Sequence, residues 1–169
     1  MWKVDGALCF FAEDAGASAV TGVDVMAPSQ RFVDEQQRRG SKVRFVEGDL
    51  HEPATADAIG THDVVWCSGV LYHAPHPLLT LQRLRGLTGE TLLLATETIP
   101  ETPGRPNTCV VAPGPADHPN ARPPRGPDEG YGPWYWGITP SALRTMLSLA
   151  GFAVVEEHLL AFHATIVAR

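Results

Sequence analysis

The stretch His62-Asp-Val-Val-Trp-Cys-Ser-Gly-Val-Leu-Tyr-His-Ala-Pro-His-Pro77 decides how the fold is read. Asp63 to Cys67 is a short apolar run closed by the small pair Ser68-Gly69. Such a run fits a strand buried on both faces. Val70-Leu71-Tyr72-His73 then falls just past its carboxyl end. In open α/β sheets, ligands bind at that place.

Working outward, Ala7 to Ala15 reads as a helix and Ala19 to Val25 as a strand ending in an acid. Pro28 to Arg39 is a polar amphipathic helix, with Pro28 near its first turn and Gly40 just past its end. Lys42 to Glu47 is a strand, Pro53 to Ile59 a short helix, Pro77 to Leu87 a helix and Glu90 to Glu97 a strand. Thr139 has the form of an N-cap for Pro140 to Ala150, and Gly151 closes that helix. Phe152 to His158 and Leu160 to Ala168 read as a tight antiparallel hairpin. Strands alternating with helices predict an α/β fold with a mostly parallel sheet and right-handed crossovers.

Thr98 to Gly137 breaks the pattern, with ten prolines and six glycines in forty residues. That is too many for regular structure, and loops of this length are functional or disordered. It ends in Tyr131-Gly-Pro-Trp-Tyr-Trp136. Those aromatics read either as anchors of an Ω-like loop or as a cover over a substrate, with Tyr131, Trp134 and Trp136 as candidate substrate contacts.

At 169 residues the chain is read as one domain, residues 1–169, carrying that insertion at about 98–137. A net charge of −6 argues against gripping nucleic acid by bulk electrostatics. The basic clusters Arg38 to Lys42 and Arg122 to Arg125 read as solvated surface. Cys9, Cys67 and Cys109 are an odd count without paired spacing, which fits a reducing, cytoplasmic setting. No apolar run reaches the length of a membrane span, and no signal pattern opens the chain. His73-x-x-His76 with Cys67 lacks the second ligand pair of a metal site, and Cys67 reads as a small buried hydrophobe.

Three acids follow strands: Asp24, Asp49 and Glu97. A carboxylate there can accept hydrogen bonds from both hydroxyls of a ribose, and one on the next strand can receive an adenine amine. The same acids also serve as ordinary helix caps.

In Val20–Val25 (VTGVDV), Val43–Glu52 (VRFVEGDLHE), His62–His73 (HDVVWCSGVLYH) and Ala142–Phe152 (ALRTMLSLAGF), the chain resembles the class I S-adenosylmethionine-dependent methyltransferases. The Gly-Val-Leu-Tyr-His element is similar to the branch that holds the tRNA wobble-uridine carboxymethyltransferases. The resemblance implies a Rossmann-like sheet and S-adenosylmethionine, or its carboxylated form, as cofactor. It implies that Asp24, beside Val25, binds the ribose, and that Asp49 and Leu50 flank the adenine. Ser68 and Gly69 would line the methionine portion, with Tyr72 near the transferred group. His73 becomes the candidate catalytic residue, against a structural hydrogen bond as the plainer role.

The family's first strand and glycine loop have no counterpart here, except that Asp5-Gly6 matches the end of the loop. That makes Gly6 a candidate cofactor contact. The departure is read as a fragment or late start, as a minimal first strand at Trp2 to Val4, or as a non-catalytic partner protein. The expected function is methyl transfer to a small molecule, favoured by the acidic charge, or to a tRNA base. The alternatives are an inactive methyltransferase-like binding subunit and a nicotinamide-dependent oxidoreductase. The second lacks the G-x-G-x-x-G fingerprint. No membrane partner is expected, and the oligomeric state is open.

Overall fold

The computed structural model describes residues 5–111 and 136–169. The chain divides into two units, Met1–Gly60 and Thr61–Arg169. The minimal strand read at Trp2 to Val4 lies outside the described residues.

In the first unit the order is α1 (Ala7–Asp14), β1 (Thr21–Asp24), α2 (Gln30–Arg39), β2 (Arg44–Glu47) and α3 (Pro53–Ile59). β1 and β2 pair in parallel, with Asp24 opposite Glu47, so α2 is the crossover that a parallel pair requires. The core is aromatic. Phe10 stacks on Phe32 with centroids 5.4 Å apart, and Phe32 tilts against Phe45 at 5.4 Å. Cys9 and Val43 are buried beside them.

The start of α2 differs from the sequence reading. Ser29 caps it, accepting the Phe32 amide at 3.1 Å, so the helix begins at Gln30 rather than at Pro28, which stands just before the cap. A hydroxyl that satisfies an orphan amide outweighs the preference for proline at the first helical position. Gly40 ends the helix with φ 60, as its place in the sequence implies.

The second unit contains β3 (His62–Ser68), α4 (Pro77–Leu87), β4 (Thr88–Glu97), β5 (Cys109–Val111), β6 (Trp136–Ile138), α5 (Pro140–Leu149), β7 (Val154–Leu160) and β8 (His163–Ala168). A four-stranded sheet has the order β3-β4-β8-β7. β3 and β4 are parallel, whereas β8 runs antiparallel to both of its neighbours, β4 and β7. The α/β fold and the C-terminal antiparallel hairpin are therefore as the sequence implies. The hairpin turn falls at 161–162, later than the sequence reading placed it.

One sheet face carries Leu92, Leu94, Ala164, Ile166 and Ala168, all at most 1% exposed, and Leu81, Leu143 and Leu147 of the helices are likewise fully buried. α4 runs into β4 without a loop. Thr88 Oγ1 donates to Leu84 O at 2.7 Å, and Arg85 Nη1 donates to Thr88 O at 2.9 Å. Thr139 caps α5, its Oγ1 accepting the Ala142 amide at 3.3 Å.

Two expectations are corrected. The Asp63 to Cys67 strand is not buried on both faces: Val64 is 54% and Trp66 44% exposed, and only Cys67 is buried. Among the described residues β3 pairs only with β4 and lies at an edge of its sheet. An apolar run looks the same at an edge as in the middle of a sheet. The proline-rich stretch also contains regular structure, because β5 pairs antiparallel with β6 through Cys109–Ile138 and Val111–Trp136. Cys109-Val-Val and Trp136-Gly-Ile are short proline-free runs, and pairing needs only such islands.

Two predictions follow from the first unit. Gly6 has φ 81, and a Cβ there would overlap the Phe32 ring and come within 3.0 Å of Phe10 Cε2. Gly40 has φ 60 with nothing within 4 Å. In urea unfolding, Gly40→Ala should lose about 1–2 kcal/mol from backbone strain alone, and Gly6→Ala about 2 kcal/mol more from overpacking. Equal losses would remove the packing explanation. Hydrogen bonds from Arg38 and then Arg39 bring the half-buried Glu35 carboxyl down to about 2. Its stabilising contribution is complete above the unfolded value near 4.5 and is lost as pH falls through about 2. A Glu35 side-chain NMR titration should show that low midpoint, and Arg38→Gln with Arg39→Gln should raise it.

Candidate functional site

The candidate residues form two sets, one in each unit. In the first unit, Asp24 ends β1 and Asp49 lies two residues past the end of the neighbouring parallel β2. The ladder holds these ends side by side, because Gly48 N donates to Asp24 O at 2.9 Å. Asp24 Oδ1 accepts the Met26 amide at 3.0 Å, which turns the chain sharply after the strand. Asp49 Oδ1 accepts the His51 amide at 2.8 Å and lies 3.1 Å from His51 Nδ1. Each acid is thus oriented by its own turn, and Val25 and Leu50, both half-buried, follow them. Gly48 is dictated by packing, since a Cβ there would sit 2.5 Å from Thr55 Oγ1 of α3.

Gly6 is the N-cap of α1, in the left-handed region, with Phe32 and Phe10 where a side chain would go. Asp5 beside it accepts the Ser29 hydroxyl at 2.7 Å, linking the start of α1 to the cap of α2.

In the second unit, Ser68 ends β3 and is exposed. Gly69 follows with φ 71, and its amide donates to Ala95 O of β4 at 3.0 Å. A Cβ at Gly69 would face open space, with only the Tyr72 hydroxyl near it at 3.9 Å. The backbone of Gly69 is therefore open to a close-lying ligand. Leu71–His73 form a 3₁₀ turn in which Leu71 is fully buried. That anchor leaves Tyr72 and His73 half-buried, their rings 4.2 Å apart. The turn packs against β4 and β6, which brings the strand of Trp136 beside Tyr72 and His73.

Among the described residues, Trp136 Nε1 is buried without a hydrogen-bond partner, as is Thr98 Oγ1 just past β4. Tyr131 and Trp134 lie outside the described residues. Glu97 ends β4 opposite His163 of β8. Sequence reasoning missed His51 and Thr98. The Asp-x-His spacing hints at the first, whereas nothing local marks the second.

Cys67 is buried, and burial pushes its thiol up to about 12, so it does not ionise near neutrality. Among the described residues no group of three or more His, Cys, Asp or Glu is arranged to hold a metal. No described helix is long and apolar enough to cross a membrane.

Residues 5–89 match the sequence model of the methyltransferase domain family. The chain belongs to this family. No curated protein sequence matches it. Among solved structures, it is similar to 1,6-didemethyltoxoflavin-N1-methyltransferase of Burkholderia thailandensis, bound to 1,6-didemethyltoxoflavin and S-adenosylhomocysteine. The TM-score is 0.68 at 19% identity, covering 98% of this chain and 67% of that one. An S-adenosylmethionine-dependent methyltransferase of Mesorhizobium loti gives 0.64 at 17% identity, over 98% and 86%. The [4+2]-cyclase SpnF gives 0.68 at 16% identity, over 98% and 71%. At these identities the likeness is one of fold. The expectation of a class I, S-adenosylmethionine-dependent methyltransferase is met at the level of family and fold.

The burial pattern predicts an order of thiol reactivity. Cys109 is exposed, whereas Cys9 and Cys67 are 7% and 5% exposed. With a disulfide reagent at neutral pH, the native methyltransferase should show one accessible thiol, lost in Cys109→Ser. The other two should appear only on unfolding. Fast labelling of Cys67 would contradict its place in the core.

Proposed function

We propose that this methyltransferase transfers the methyl group of S-adenosylmethionine to a small-molecule acceptor. The observation that carries the reading is the pair of carboxylates at the carboxyl ends of adjacent parallel strands, Asp24 and Asp49, within the matched family region. Asp24 suits the two ribose hydroxyls because one carboxylate can accept both. Asp49 and Leu50 suit the adenine. Ser68 and the open backbone of Gly69 suit the methionine portion, and Tyr72 the neighbourhood of the sulfonium, where an aromatic face favours positive charge.

The acceptor's nucleophilic atom attacks the methyl carbon as the carbon–sulfur bond breaks. When bound, S-adenosylmethionine would supply the activated methyl and would take up the electrons of the broken bond on its sulfur, and the acceptor gives up a proton. Alignment of nucleophile, methyl and sulfur is the main demand, since the methyl is already activated. His73, next to Tyr72, is the candidate to take the proton when the acceptor is a poorly acidic hydroxyl or amine. Trp136, with Tyr131 and Trp134, is proposed to face the acceptor. A net charge of −6 favours a small molecule over tRNA.

Calorimetry with S-adenosylhomocysteine tests the reading. Asp24→Asn keeps an oxygen for the Met26 amide but removes the charge and one acceptor. It should weaken binding by about 100-fold with little change in stability. A well-folded wild-type chain that does not bind would overturn the proposal and favour a binding subunit without catalysis. Binding of a nicotinamide dinucleotide in its place would favour the oxidoreductase.

A further inference from the structure

β7 is the outer strand of the four-stranded sheet, and all seven of its residues are exposed. Among the described residues only β8 pairs with it. Its apolar side chains are open to solvent: Val154 37%, Val155 56%, Leu159 37% and Leu160 58%. An uncovered apolar strand edge is a template for another strand. The usual safeguard is charge on the edge, and β7 carries Glu156, Glu157 and His158.

Those charges do not block every partner. The strand reads Val-Val-Glu-Glu-His-Leu-Leu, with apolar ends around a polar centre. About a two-fold axis through Glu157, an antiparallel second copy sets Glu156 opposite His158, and brings Val154 and Val155, where β7 shifts register against β8, towards Leu160 and Leu159. Each side-chain pair directly across such a ladder is then apolar with apolar, or acid with imidazole. Glu157 alone meets its own copy. Its carboxylate is already engaged, accepting Arg144 Nε at 2.8 Å and Arg144 Nη2 at 2.7 Å from α5 on the helix-covered face. The like-charge contact at the centre is thus neutralised within each chain.

We propose that β7 is a self-pairing edge: two copies of the chain join β7 to β7, antiparallel, and make one continuous sheet from the two four-stranded sheets. The contact is isologous and closes after two subunits, so it yields a dimer rather than a fibre. It covers the apolar residues of β7 and satisfies the backbone groups along its free edge.

Sedimentation velocity of the full 169-residue chain tests this. At about 50 μM, well above a micromolar dissociation constant, the expected species has twice the 18.2 kDa chain mass. Glu156→Lys should give a monomer by setting lysine against the partner subunit's His158. His158→Glu should do the same by setting two carboxylates together. The double variant, with the charges exchanged, should restore the dimer. Circular dichroism checks that each variant keeps its fold. At these exposed positions the single variants should melt like the wild-type monomer. A monomeric wild type, a dimer indifferent to Glu156→Lys, or a double variant that stays monomeric would each overturn the proposal. So would a wild type that remains monomeric alone yet binds an unrelated extended peptide at β7.

Discussion

The second unit depends on β4 being paired along both edges. β3 lies parallel on one side and β8 antiparallel on the other. Leu92 and Leu94 on this strand are fully buried, each contributing about 2–3 kcal/mol by leaving water. The end of β4 also fixes what surrounds it. Ala95 O holds the Gly69 amide, Phe162 O receives the Thr98 amide, and Ile138 O receives the Ile99 amide. The turn with Tyr72 and His73, the hairpin and the strand of Trp136 all take their places from this one ladder.

The residues assigned to chemistry lie just past strand ends, where backbone direction changes and side chains escape the core. Two glycines there show how similar dihedrals serve different ends. Gly6 and Gly69 both have positive φ, but Gly6 abuts aromatic rings whereas Gly69 faces open space. The first has a packing requirement whatever it binds. The second leaves its backbone approachable, as a cofactor lying across it would need. Asp24 and Asp49 combine two roles that compete in a sequence reading. Each caps its own turn and also stands at the carboxyl end of a parallel strand.

The two edge strands of the four-stranded sheet, β3 and β7, both expose apolar side chains. β4 and β8, paired on both sides, bury their apolar residues on the helix-covered face. The difference is one of position and not of composition. In β7 the charges are arranged so that a two-fold mate is matched, and they thereby select among possible partners.

The sequence by itself determined the succession of elements, because helical and strand periodicity, Ser29 and Thr139 as caps and Gly40 as a terminator are local signals. It also determined the family, because Asp24, Asp49 and the Ser68 to His73 turn keep their spacing within the matched residues. Burial was not legible in it. Asp63 to Cys67 has the composition of a central strand, yet what packs over each face of β3 is a long-range property, and that cover decides whether Val64 and Trp66 meet protein or water. The pairing of Cys109–Val111 with Trp136–Ile138 across a proline-rich interval was equally hidden, since strand partners far apart in sequence leave no local mark. Tertiary structure alone decided these points, because exposure and pairing depend on what packs alongside a segment and not on the segment itself.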